Sequence, residues 1–194
     1  MVARTCARGF DEMQHGIRIN PLFIRHGTTK HRFVSWVTAL TNILHYASVM
    51  SHTHASNLVH CVFSTKDRAN LIANPDALCR YISGIAKAKH ITLLGAGGTA
   101  NHLHLLISQP PAMPLAQAMR DLKGNSSRML SEMGQRFSWQ EGYGAFSVSH
   151  SQRQVVADYI ANQEAHHRKW SFEQEFVALL RKAGVEYDAR FVFG

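Results

Sequence analysis

Asn101-His102-Leu103-His104-Leu105-Leu106-Ile107 is the stretch on which the fold turns. Side chains alternate faces along an extended strand, so His102 and His104 point one way while Leu103, Leu105 and Ile107 point the other way, into a core. Neutral imidazoles are common ligands for divalent cations, and a metal held on an open sheet face polarises a phosphate oxygen. By itself the pair reads equally well as a half-exposed strand carrying two polar residues.

A second stretch, Val155-Val156-Ala157-Asp158-Tyr159-Ile160-Ala161-Asn162-Gln163-Glu164-Ala165-His166-His167-Arg168, has the composition of a helix, with Ser149 or Ser151 as N-cap. Tyr159 and Gln163 are four apart and therefore neighbours on one face. Gln163 can offer a carbonyl oxygen to a metal, and Tyr159 a phenolic oxygen to phosphorus one turn away. One tyrosine and one glutamine on an amphipathic helix are ordinary taken alone.

The rest of the chain from Met50 alternates strand and helix. Leu58–Ser64 predicts a strand with Val59, Cys61 and Phe63 on one face. Asn74-Pro75 opens a helix whose buried stripe is Leu78, Tyr81, Ile82 and Ile85. Ile91–Leu94 predicts a strand, and Gly95–Gly98 the break before the histidine strand, which Gln109-Pro110-Pro111 stops. Pro114–Met133 predicts a helix with Leu115, Met119, Leu122, Met129 and Leu130 inward and Arg120, Lys123 and Arg128 on another face; Gly124 weakens its middle. Ser171-Phe172-Glu173-Gln174 is a capping box for a last helix ending near Gly184. This order predicts a compact α+β sandwich, helices packed on a largely antiparallel sheet.

His102-Leu103-His104 on a strand followed by a helix bearing Tyr159 and Gln163 resembles the HUH single-tyrosine transposases of single-strand insertion sequences and their repeat-associated relatives. The ordered set is wider than these two motifs. Val59–Arg68 is similar to the family's first strand, and Gly97-Gly98-Thr99-Ala100-Asn101 to the turn entering the HUH strand, where many relatives carry Asp in place of Asn101. Leu122–Arg128 is similar to the basic helix, and Trp139–Val148 to the strand region before the tyrosine helix. The resemblance runs from Met50 to the C-terminus and implies an RRM-like, or ferredoxin-like, fold with a C-terminal helix carrying the nucleophilic tyrosine.

What the resemblance implies chemically can be set out residue by residue. A phenol with a reference pKa near 10 is a poor nucleophile at neutral pH without help. Mg²⁺ or Mn²⁺, held by His102, His104 and Gln163, would bind the scissile phosphate while Tyr159 attacks phosphorus, giving a 5′-phosphotyrosine and a free 3′-hydroxyl. Two imidazoles favour manganese in vitro. The expected activity is cleavage and rejoining of single-stranded DNA with terminal hairpins at insertion-sequence ends. A homodimer is expected, with the tyrosine helix docked on the histidine pair of the other subunit and Gly142–Ser151 as the flexible connection. His60 reads equally as a supporting or a structural residue, His166 and His167 as supporting or solvated ones, and Lys66, Arg68, Lys123 and Arg128 as the candidates for DNA-backbone contact against a merely solvated basic face. Trp139 and Tyr143 are stacking candidates for which core packing is the better reading.

Composition agrees. The 194 residues are 45% hydrophobic, enough for one real core, and the formal charge of +8 with a pI near 9.8 favours an acidic partner such as nucleic acid. Six of the 21 basic and two of the 13 acidic residues lie in the first 49, so the remainder carries only +4 and must cluster its basic groups to hold DNA. Cys6, Cys61 and Cys79 form neither a disulfide framework nor a zinc knuckle, which fits a reducing cytoplasm. Residues 1–49 lack clean periodicity and a membrane-length apolar run, and are expected to be a non-family extension, either an upstream start or a basic arm. Three alternatives remain. A non-catalytic RRM-like nucleic-acid binder should show a glycine-aromatic signature where His102 and His104 stand. A hydrolase using His-x-His-x-His is excluded by Leu106. A domesticated hairpin-nicking relative shares every motif with a mobile transposase.

Overall fold

The computed structural model describes residues 54–193; the expected extension at residues 1–49 lies outside them. Strand β1 (Leu58–Ser64) is followed by a short 3-10 turn (Lys66–Arg68), helix α1 (Pro75–Ala88), strands β2 (Thr92–Gly98) and β3 (His102–Ser108), and helix α2 (Leu115–Glu132). Strand β4 (Gly144–Val148) then leads through a 3-10 turn (His150–Gln152) into α3 (Arg153–Ala161), α4 (Gln163–His166) and α5 (Phe172–Lys182). The four strands lie in the order β2-β3-β1-β4 with every neighbour antiparallel. That order with helices after β1 and β3 is the ferredoxin-like arrangement.

The sheet separates two layers. On one face Cys61, Phe63, Leu103, Leu105 and Ile107 pack against Leu78, Ile82 and Ile85 of α1 and Ala118, Met119 and Leu122 of α2. Tyr81 departs from its expected place: it is 42% exposed, flanking the Leu78–Ile82–Ile85 stripe. The start of α1 is as expected, with the Asn74 side chain accepting from the Ala77 N–H and Pro75 just inside. The capping box of α5 is closed in both directions by Ser171 and Gln174, and Gly184 takes the left-handed conformation (φ +66°) that ends it.

On the other face the expected open sheet is closed. α3, α4 and α5 cover it, so β3 is buried on both sides, and the RRM-like binder is disfavoured because the face it would offer to RNA is occupied. The glycines expected to form a break instead belong to β2 and make room for this cover. A Cβ on Gly97 would stand 2.2 Å from the Ile160 carbonyl oxygen. Only Thr99–Asn101 remain as the turn.

Two details of the tyrosine stretch differ from expectation. The helix breaks at Asn162 (φ −100°, ψ 21°), whose side-chain amide donates to the Asp158 carbonyl at 2.8 Å and so competes with the helix ladder. Ser149 and Ser151 bond each other rather than capping α3, which begins after Gln152. The expected last helix, α5, follows the tyrosine helix and supplies the residue around which the site is built. Among the described residues no helix is long and apolar enough to cross a membrane.

Candidate functional site

His102 and His104 leave β3 on the face opposite Leu103 and Leu105, both with 0% exposure. Tyr159 comes down from α3 and Gln163 begins α4, its side-chain amide 3.5 Å from the Tyr159 carbonyl oxygen. The four residues that spacing singled out therefore meet. At their centre stands Glu175 of α5, 2% exposed. Its Oε2 lies 3.2 Å from His104 Nε2, 3.6 Å from His102 Nε2 and 3.0 Å from His167 Nε2. Its Oε1 accepts hydrogen bonds from the Tyr159 hydroxyl and from Gln163 Nε2 (3.1 Å), and is 3.5 Å from His166 Nε2.

A surrounding shell orients the imidazoles. His102 Nδ1 is 2.6 Å from Asn101 Oδ1, which also accepts from the Thr99 hydroxyl, and His60 Nε2 is 3.0 Å from His104 Nδ1. His60 thus stands behind His104. His166 and His167 both reach the cluster, and His167 Nδ1 is fixed at 2.8 Å from the Trp170 carbonyl oxygen.

Burial governs the charges. It drives His60 and His102 down to about 3, with neighbouring His104 adding to the effect, and it lowers His104 as well, so these three rings are neutral. Burial, then the Glu175 carboxylate, pushes the Tyr159 phenol above its usual range. Burial opposes ionisation of Glu175, but the surrounding imidazoles of His104 and His167 and the Tyr159 hydroxyl outweigh it and hold the carboxyl below the usual carboxylate range. Burial also opposes protonation of His167, and there the Glu175 contact wins and raises it.

Four buried polar atoms, His102 Nε2, His104 Nε2, Gln163 Oε1 and His166 Nε2, have no hydrogen-bond partner. Leaving such atoms unpaired costs about 1–3 kcal/mol each, and neutral imidazole nitrogens beside amide and carboxylate oxygens are a donor set suited to a divalent cation. The ligand atoms of His102, His104, His167 and Glu175 all lie within 4.8 Å of one another. A cavity of about 290 Å³ lined by Tyr159, His60, Glu175, His166, Trp170 and Lys182 opens beside the cluster.

The expected basic residues do not form one patch. Lys66 and Arg68 line a separate cavity of about 800 Å³ beside the C-terminal aromatics, where Arg68 bonds Glu173 (3.1 Å) and the Phe193 carbonyl (2.9 Å). Lys123 is spent on the Gln140 and Gly142 carbonyls, and burial lowers it. Arg128 pairs with Asn125 and Glu132 on α2, in the layer across the sheet from Tyr159. Trp139 packs against Phe63 and Phe137, as core packing required, whereas Tyr143 is exposed.

Glu175 was missed because nothing in Ser171–Lys182 distinguishes it from an ordinary helix carboxylate. The one available signal was its place on the apolar stripe with Phe172 and Leu179, where a carboxylate is out of character.

The profile of the family described as "Transposase IS200 like" matches residues 53–163, a stretch that holds His102, His104, Tyr159 and Gln163. The chain belongs to this family of HUH single-tyrosine transposases, enzymes that cut and rejoin DNA. It is 29% identical over 124 residues to the transposase for insertion sequence element IS200 of Salmonella typhimurium, covering 59% of this chain and 81% of that one. Among solved structures, a protein assigned as a transposase from Deinococcus radiodurans is 23% identical, with a TM-score of 0.46, over 58% of this chain and 95% of its own. A REP-associated tyrosine transposase bound to a REP hairpin is 14% identical, with a TM-score of 0.47, over 75% of this chain and 97% of its own.

Proposed function

We propose that residues 50–194 form a metal-dependent transposase domain that cleaves and rejoins single-stranded DNA through a 5′-phosphotyrosine on Tyr159, with residues 1–49 outside it. The observation that carries this reading is the convergence of the Tyr159 hydroxyl with His102 Nε2, His104 Nε2 and Gln163 Oε1, the last three buried without partners. His102, His104 and Gln163 would hold Mg²⁺ or Mn²⁺. When bound, the cation supplies positive charge to the scissile phosphate.

The chain's own residues do the rest. α3 and the Glu175 contact fix the Tyr159 oxygen at the end of the cavity. Tyr159 gives up its proton and bonds to phosphorus while the bond to the 3′ oxygen breaks and that oxygen takes up a proton. One phosphodiester replaces another, so the step runs backwards as readily and suits strand transfer. Of the four basic residues expected at the DNA backbone, Lys66 is the one left exposed with no ion pair among those described. Substrate DNA with terminal hairpins, a homodimer and a cytoplasmic location complete the proposal.

The test is incubation of the full chain with Mn²⁺ and labelled single-stranded insertion-sequence ends, followed by a denaturing gel. A covalent adduct is expected from the native protein and none from Tyr159→Phe, whose DNA binding should persist. An undiminished adduct in that variant would move the nucleophile elsewhere.

A further inference from the structure

The imidazoles of His102, His104 and His167 have Nδ1 engaged and Nε2 directed toward Glu175. His102 Nδ1 faces Asn101 Oδ1, an oxygen that already accepts from Thr99, and His167 Nδ1 faces the Trp170 carbonyl. Both acceptors require a hydrogen on Nδ1; in the neutral ring of His102 this leaves Nε2 with its lone pair, whereas His167 Nε2 donates to Glu175 Oε2 and ligates only after giving up that proton. His104 Nδ1 pairs with His60 Nε2 at 3.0 Å, a contact in which either nitrogen can be the donor. This is how metal-bound histidines are held: the far nitrogen donates outward and the near one ligates.

What the three Nε2 atoms face is the Glu175 carboxylate, not a donor. Oε2 stands 3.6, 3.2 and 3.0 Å from His102, His104 and His167. The first two contacts are close without being hydrogen bonds, since both nitrogens are partnerless. Lone pairs directed at a buried carboxylate oxygen repel it, and a cation between them reverses the sign. The Oε2 separations are close to the roughly 3–3.5 Å between atoms bound at about 2.0–2.2 Å to one ion, and all four ligand atoms lie within 4.8 Å of one another.

We propose that His167 and Glu175, both beyond the family-matched stretch 53–163, are further ligands of the cation at His102 and His104, so that the ion fastens the C-terminal helix α5 to the sheet. Glu175 divides its labour: Oε2 faces the metal-ligand nitrogens while Oε1 holds the Tyr159 hydroxyl. The ion and the nucleophile are thereby positioned by one side chain. The proposal rests on the reading that the histidine pair binds a metal.

The experiment is Mn²⁺ binding to the full chain without DNA, followed by calorimetry, pulsed EPR and amide hydrogen exchange. Three imidazole nitrogens are expected on Mn²⁺ in the native protein and two in His167→Gln. Glu175→Gln, close in shape, should bind Mn²⁺ at least about tenfold more weakly and lose the protection that the ion gives to residues 172–182. The His102→Ala/His104→Ala variant separates the two levels: unchanged binding there sinks the metal reading itself. Loss of binding in that variant, with two imidazoles in the native spectrum and native affinity in both single variants, overturns only this proposal and leaves Glu175 as an ion-pair partner of protonated His167. Should Glu175→Gln fail to fold, the native imidazole count and His167→Gln still decide.

Discussion

Asn101 shows how one residue beside a ligand controls it. Its side-chain oxygen, 2.6 Å from His102 Nδ1, sets which ring nitrogen carries the proton and which faces the cluster. Asn101→Leu should weaken Mn²⁺ binding about ten- to hundredfold, and Asn101→Asp, which keeps the acceptor, should restore it; calorimetry checks both. The histidine pair, the tyrosine and the glutamine were legible because strand and helix periods put each on a face. Glu175 was not, since its role comes from a helix packing across the sheet. A pH dependence follows from the same burial. His60 and His102 sit at about 3 in the folded chain and near 6.5 when unfolded, so below pH 6.5 the unfolded state binds more protons. Stability is then fully present above about pH 6.5 and falls as pH drops toward 3, by on the order of 1 kcal/mol per unit for each ring. Denaturant melts of the metal-free protein from pH 7.5 to 4.5 measure this, and a flat profile would contradict the neutral, buried rings.

At the scale of elements, glycine carried two meanings that composition does not separate. Gly97 lies inside β2, and the missing side chain lets the backbone of α3 rest directly on the strand, a Cβ there meeting the Ile160 carbonyl oxygen at 2.2 Å. Gly124 lies inside α2, and nothing stands within 4 Å of its would-be Cβ. The same substitution should therefore have opposite signs. Gly97→Ala is expected to cost about 1–3 kcal/mol by forcing helix and strand apart, and to remove the covalent adduct by displacing Tyr159. Gly124→Ala is expected to stabilise by about 0.5–1 kcal/mol through helix propensity with the adduct unchanged. Chemical denaturation and the adduct gel read both. Strand and helix identities were legible from periodicity and caps. The extension of β2 through its glycines was not, because only a tertiary neighbour makes glycine favourable in a strand.

At the scale of the whole molecule, the question is whether the tyrosine helix serves its own subunit or another. The dimer expectation placed a flexible connection at Gly142–Ser151, but β4 occupies Gly144–Val148 of that stretch and is hydrogen-bonded to β1 throughout. Gly142 precedes the strand and Gly144 begins it, so neither lies between the strand and the helix. What remains is Ser149–Gln152, most of it wound into a 3-10 turn that runs directly into α3. On the far side, α5 ties the helix down a second time, with Glu175 bonded to Tyr159 and Gln163 while it touches both histidines of the same chain. Exchange between subunits would require α3, α4 and α5 to leave the sheet together and expose the apolar side chains of Phe146, Ile160 and Phe172. A partner's helices would cover the same side chains after exchange, so the prediction rests on the short connection and on the Glu175 contacts within one chain. Mixing Tyr159→Phe with His102→Ala/His104→Ala protein should therefore give no adduct, because no subunit then holds both an intact tyrosine and an intact histidine pair. The check is the adduct gel on mixed variants, with subunit exchange verified by mass-tagged chains; cleavage restored to a sizeable fraction of the native level would show that the helices trade places on dimerisation.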